Sequence, residues 1–198
     1  MKVEVRSNSI VVDGYVNAVA RDSYPIYSQR KKFIEQINQG TFADALKRNS
    51  KVRMLFNHDN NREIGMNGKN VQLVEDNIGL RVHATIDDAE VIEAAKNGEL
   101  RGWSFGFRNP VSKWVEDEPY DRRYIESLDL IEVSLLTKQP AYRATTVEVR
   151  GEEEVELRDA DATVEVSAIE EEQKQEDAKV PDYSALQKKI NLIEKGIY

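Results

Sequence analysis

From Leu80 to Ile86 apolar and polar residues alternate without a break: Leu80, Val82, Ala84 and Ile86 against Arg81, His83 and Thr85. A period of two over seven residues specifies a strand with one buried face, on which His83 points outward with Arg81 and Thr85. The same pattern recurs. Val3 and Val5 alternate, and Ile10 to Ala20 is valine-rich around Asp13-Gly14. Val71 to Glu75, the turn Asp76-Asn77-Ile78-Gly79 and the strand from Leu80 make a hairpin. Further strands are expected over Val52–Phe56, Gly102–Phe107 and Tyr124–Leu136, and a loop over Arg21–Arg30. Helical spacing is confined to two short stretches. One is Phe42–Lys47 with Thr41 as N-cap; the other runs from Asp88 to Lys96, capped by Asp87 or Asp88 and stopped by Gly98. The fold class is therefore α+β: a mixed sheet with a few short helices.

Charge divides the chain near Arg150. Residues 151–198 hold fourteen acids and six bases, leaving twenty-two of each in residues 1–150. The front part is balanced, so no nucleic-acid surface is expected. The acidic stretches Glu152-Glu153-Glu154 and Glu170–Asp177 are too poor in apolar residues to pack a core. Beyond them Tyr183, Leu186, Ile190, Ile193 and Ile197 follow a 3-4 spacing after Pro181-Asp182. The expected organisation is a domain over 1–150, a flexible acidic linker over 151–181 and an amphipathic C-terminal helix over 182–198. That helix either docks on its own domain or pairs with a partner chain, self-association included. The longest apolar runs, such as Ile10-Val11-Val12, are far too short to cross a bilayer, and no membrane association is expected. The N-terminus lacks the apolar core of a signal peptide. With no cysteine in the chain, disulfide and thiolate chemistry are excluded and a reducing cytoplasm is compatible.

Only two histidines exist, so the choice of general base is narrow. His58 lies where a strand breaks into the polar turn Asn57-His58-Asp59-Asn60-Asn61, a place where functional residues gather on a rigid scaffold. By itself a histidine in a turn is an ordinary surface residue. Two histidines this far apart give no metal-ligand spacing, and neither a phosphate loop nor a dinucleotide glycine pattern occurs. No cofactor or metal is expected. What remains is a hydroxyl nucleophile, and the unusual segment is Arg101-Gly102-Trp103-Ser104-Phe105-Gly106-Phe107. Gly102 and Gly106 would let backbone approach a substrate carbonyl closely. The plainer reading is an aromatic-rich buried strand with a satisfied serine.

Three blocks in this order resemble the phage prohead (capsid maturation) protease family of HK97-like tailed phages. They are Leu55-Phe56-Asn57-His58-Asp59, Arg101–Phe107, and Leu130-Ile131-Glu132-Val133-Ser134-Leu135-Leu136-Thr137-Lys138-Gln139-Pro140-Ala141-Tyr142. Gly14-Tyr15-Val16 and Gly40-Thr41-Phe42 add to the likeness, which spans residues 8–150. One extra residue separates Thr137 from Pro140 relative to the family pattern. The resemblance implies a serine endopeptidase related to herpesvirus assemblins, with a mainly antiparallel, barrel-like sheet. It implies cleavage of capsid and scaffold protein segments, and of the protease itself, in the host cytoplasm within the assembling procapsid. It implies Ser104 as nucleophile and His58 as base. Glu132 is the third member it favours, with Asp59 and His83 as rivals. A non-catalytic assembly protein working through its acidic tail, and a small esterase, are the competing functions.

Overall fold

A computed structural model describes residues 1–27, 32–137, 146–150, 153–161 and 165–168. In chain order the strands and helices are β1 (Lys2–Val5), β2 (Ile10–Ala18), β3 (Ile26–Tyr27), β4 (Lys32–Ile37), α1 (Thr41–Arg48), β5 (Arg53–Phe56), β6 (Glu63–Met66), β7 (Val71–Glu75), β8 (Gly79–Ile86), α2 (Ala89–Lys96), β9 (Gly102–Val115), β10 (Asp121–Leu136), β11 (Thr146–Arg150), β12 (Glu153–Asp161) and β13 (Glu165–Ala168). The alternation read from Leu80 to Ile86 is present as expected: Leu80, Val82, Ala84 and Ile86 are buried, while Arg81, His83 and Thr85 are exposed.

Two sheets form. The smaller has the order β13-β1-β2-β8-β7, and the larger β11-β12-β9-β10-β4-β3, with β5 also on β10 and β6 on β5. Their facing sides share one apolar cluster. Val3, Val12, Leu80, Val82 and Ala84 come from the smaller sheet; Met54, Trp103, Phe105, Phe107, Val133 and Leu135 come from the larger. Phe42 of α1 and Val91 and Ala95 of α2 fill the same core, and the Phe42 and Phe105 rings meet edge to face at 5.3 Å. Most strand pairs are antiparallel, but β10 runs parallel to both β4 and β5. The barrel-like sheet is not what forms among the described residues. One edge of β10 is taken by β9, and the other is shared between β4 along Asp121–Ile125 and β5 along Glu132–Leu135. A strand that serves two partners on one edge branches a sheet rather than closing it.

The two helices differ in how they begin. Asp88 caps α2, accepting from the amides of Glu90 and Val91, and Gly98 ends the segment with φ +66°. Thr41 is not the cap of α1. Gly40 occupies that place with φ +92°, and the Thr41 hydroxyl lies 3.3 Å from the carbonyls of Ile125 and Glu126. The free amides are met from another strand: Glu75 on β7 accepts from Gly40 N at 2.5 Å and Ala43 N at 2.7 Å. A carboxylate there also complements the positive end of the helix dipole.

The boundary expected at Arg150 falls inside the folded body. β12 pairs with β9 from Glu156 opposite Phe107 to Asp161 opposite Gly102, and β13 pairs with β1. Two features offset the low apolar content of this stretch: backbone pairing to an open sheet edge, and a buried ion cluster. Arg158 reaches Glu35 of β4 through Nε at 2.6 Å and a terminal nitrogen at 2.9 Å, and Glu156 at 2.6 Å. Arg123 of β10 joins the same two carboxylates at 3.2 and 2.8 Å. Residues 151–181 are therefore not a linker throughout, since 153–161 and 165–168 are strands. The acidic run Glu170–Asp177, the helix expected over 182–198 and the motif residues Lys138–Tyr142 lie outside the described residues.

Candidate active site

β9 and β10 run antiparallel without a register shift from Gly106 opposite Glu132, through Phe105 and Val133 and then Ser104 and Ser134, to Gly102 opposite Leu136. Because strand side chains alternate, Trp103, Phe105, Val133 and Leu135 all turn toward the core, as their place in the apolar cluster shows. Ser104, Ser134 and Glu132 then share the opposite face. On that face of β9 the positions two before and two after Ser104 are Gly102 and Gly106. The serine hydroxyl is thus the only side-chain group on this face of β9 from Gly102 to Gly106.

All three polar residues are fully buried, at 0% exposure each. The Oγ atoms of Ser104 and of Ser134 have no hydrogen-bond partner among the described residues. A buried hydroxyl left unpaired costs about 1–3 kcal/mol, so two side by side are not explained by stability. The plainer reading of a satisfied serine does not describe Ser104, although the aromatic-rich buried strand does.

His58 reaches this face from β5. That strand lies parallel to β10, with Arg53 opposite Glu132 and Phe56 opposite Leu135. Immediately after Phe56 the chain turns left-handed at two successive residues, Asn57 at φ 53° and His58 at φ 61°. Non-glycine residues held there cost on the order of 1–3 kcal/mol each, and they collect where a side chain must be aimed. The result is a His58 Nδ1 only 2.8 Å from Glu132 Oε1, with the imidazole largely buried and the carboxylate wholly so. A neutral imidazole that donates Nδ1–H to a carboxylate leaves Nε2 as its acceptor, which is the tautomer a general base requires.

The two rivals of Glu132 sit differently. Asp59 builds the turn: its amide donates to the Phe56 carbonyl, its carboxylate accepts from Asn61 N at 2.8 Å, and its carbonyl accepts from Arg62 N. His83 is on the exposed face of the smaller sheet, with Nδ1 3.1 Å from Asp13 Oδ2. Burial there works against the Asp13 charge, but hydrogen bonds from Arg81 and His83 outweigh it and hold the carboxyl below its ordinary value. His83 thus has its own surface carboxylate, away from Ser104. Arg62, which sequence reasoning passed over, anchors the far end of the His58 loop. Its guanidinium bonds Asp88 at 3.1 Å and also Glu90, and lies over the Phe56 ring. An arginine after a turn carries no signal of its own, because its partners come from α2.

Searches of curated proteins and of solved structures return no match to the chain. A match to a family does exist and covers most of the length. Residues 1–159 match the caudovirus prohead serine protease family, a span that takes in His58, Ser104, Glu132 and most of β12. The chain therefore belongs to the caudovirus prohead serine proteases, and is a serine peptidase of phage capsid maturation.

Proposed function

We propose that the chain is an endopeptidase in which Ser104 is the nucleophile, His58 the general base and Glu132 the residue that orients it. The observation carrying this reading is the 2.8 Å contact of His58 Nδ1 with buried Glu132, on the sheet face that also bears the Ser104 hydroxyl, unpaired among the described residues. In the first step His58 Nε2 takes the Ser104 proton as Oγ bonds to the scissile carbonyl carbon, giving a tetrahedral oxyanion. The imidazolium, stabilised by Glu132, returns that proton to the departing amine as the C–N bond breaks and the acyl-enzyme forms. Water, deprotonated by the same histidine, then releases the acid and regenerates Ser104. The Ser104 hydroxyl needs to meet Nε2 only in the substrate complex, since catalytic hydrogen bonds in free enzymes tighten on binding.

The family supports capsid proteins as substrates, inside the assembling procapsid; scaffold segments and the protease itself are the further substrates of this reading. Membership in a peptidase family weighs against the non-catalytic assembly reading. The test is Ser104→Ala, assayed with a co-expressed capsid protein by intact mass. Cleavage falls at least about a thousandfold, and labelling by a fluorophosphonate probe is lost. A Ser104→Ala protein that still cuts at a tenth of the parent rate refutes the assignment.

A further inference from the structure

The parallel pairing of β5 with β10 ends at Phe56 opposite Leu135, and His58 follows two residues later with left-handed backbone on both sides of the Asn57–His58 peptide. Something has to hold that reversal, and the residue in position to do so is Asn57. Its amide donates to the Leu135 carbonyl at 3.0 Å, carrying the ladder one residue beyond the strand. Its side chain then closes on the end of β10. Oδ1 accepts from Thr137 N at 2.9 Å, and Nδ2 donates to Thr137 Oγ1 at 2.9 Å. The orientation of the amide is determined by this pairing, because the flipped form would set NH₂ against the Thr137 N–H. The same strand, five residues earlier, carries Glu132.

We propose that Asn57 is a positioning residue for His58, fastening the loop to β10 so that the imidazole stays on Glu132. The inference rests on the catalytic roles proposed above. Asparagine combines positive φ with both a donor and an acceptor for Thr137. Glycine adopts the left-handed conformation more readily but has no groups for Thr137. Aspartate tolerates the backbone and can accept from Thr137 N and from its hydroxyl, as Asn57 Oδ1 does at 2.9 and 3.2 Å, but it loses the Nδ2 donor and adds a charge beside His58 and Glu132. Glutamine has both groups on a longer arm and lacks asparagine's ease at positive φ. Asn57 and Thr137 act as a unit, so their removal is not additive.

The experiment has two readouts. One is peptidase kinetics of Asn57→Gly, Asn57→Ala, Thr137→Val and the Asn57→Gly/Thr137→Val pair in the active protein. The other is the His58 Nδ1–H proton signal in the Ser104→Ala background, read by NMR after ¹⁵N labelling, with His58→Ala and His83→Ala for assignment. The expected result is a fall in kcat of about ten- to a hundredfold with KM changed less than about twofold, the scale set by misplacing a catalytic group by roughly an ångström. The Nδ1–H signal broadens or is lost, and the double variant is no worse than the worse single one. Thr137→Val keeps the side-chain volume and carries the same readouts should the Asn57 variants not fold. Parent-like kcat and parent-like imidazole signal in Asn57→Gly, or in Thr137→Val, overturn the proposal. If Ser104→Ala still cleaves, the nucleophile assignment fails, while the imidazole signal still decides the role of Asn57.

Discussion

Ser104 and Ser134 face each other across β9 and β10 with both hydroxyls buried and unpaired among the described residues. A group that has lost its water and gained no partner destabilises the fold, and replacing it by alanine relieves that cost. Ser104→Ala and Ser134→Ala should therefore keep or raise the thermal midpoint, measured by calorimetry, while Ser104→Ala alone removes labelling by a fluorophosphonate. A drop in midpoint of several degrees for either would mean that the hydroxyl has a structural partner after all. His58 and His83 part company in the same way. His58→Ala should lose nearly all peptidase activity, and His83→Ala, on the exposed face with Asp13, should retain at least about half of it. Sequence could narrow the base to two histidines and place His83 on an outward face by parity. The family resemblance favoured Glu132 as the partner of His58, but local periodicity could not show the contact, because the two are separated by 74 positions and meet through the parallel pairing of β5 and β10.

Strand β12 is held by an ion cluster that links three strands far apart in sequence. Glu35 and Arg158 are 4% and 8% exposed, and Glu156 completes the cluster with Arg123. Breaking a buried pair leaves an uncompensated charge, so Arg158→Ala should cost about 3–5 kcal/mol in urea unfolding. The cluster also makes a pH statement. Burial disfavours the Glu156 carboxylate, but the Arg123 hydrogen bond and the charges of Arg158 and Arg123 hold its pKa below the ordinary 4.5. Folding thus favours the deprotonated form. The stability Glu156 contributes is complete above its ordinary range and is lost as pH falls through the folded value. The urea midpoint gap between the parent and Glu156→Gln should be widest near neutral pH and close on acidification below that range. A gap independent of pH would show that Glu156 acts by packing alone. The element itself was illegible for a reason visible in its composition: Glu153-Glu154-Val155-Glu156-Leu157-Arg158 reads as solvated charge until Glu35 and Arg123 are placed beside it.

For the molecule as a whole, the position of the C-terminal boundary decides what a truncation does. Deleting everything after Arg150 removes β12 and β13, uncovers the edge of β9 beside Ser104 and takes Arg158 from Glu35, leaving it Arg123 alone at 3.2 Å. That protein should lose both its cooperative unfolding and its activity. Deleting after Ala168 instead keeps every described strand, and cleavage of a diffusible peptide should stay within about twofold of the parent. If the segment that follows recruits the protease to its assembly partner, the shorter deletion should still reduce packaging into procapsids, as should Ile190→Asp with Ile193→Asp. Equal incorporation of both forms removes that role. By itself the sequence determined what depends on nearest neighbours: strand parity over Leu80–Ile86, an aspartate cap for α2 at Asp87 or Asp88, the absence of any thiol, and the two blocks containing His58 and Ser104. These follow from local periodicity and local hydrogen bonding, which a linear chain displays. Only the tertiary structure decided that Glu75 caps α1 and that Glu132 meets His58. It also decided that the two sheets stay open among the described residues and that 153–161 of the acidic tail becomes a strand. Each of these pairs groups far apart in sequence, and a charged side chain is buried only when the fold brings its counter-charge to it.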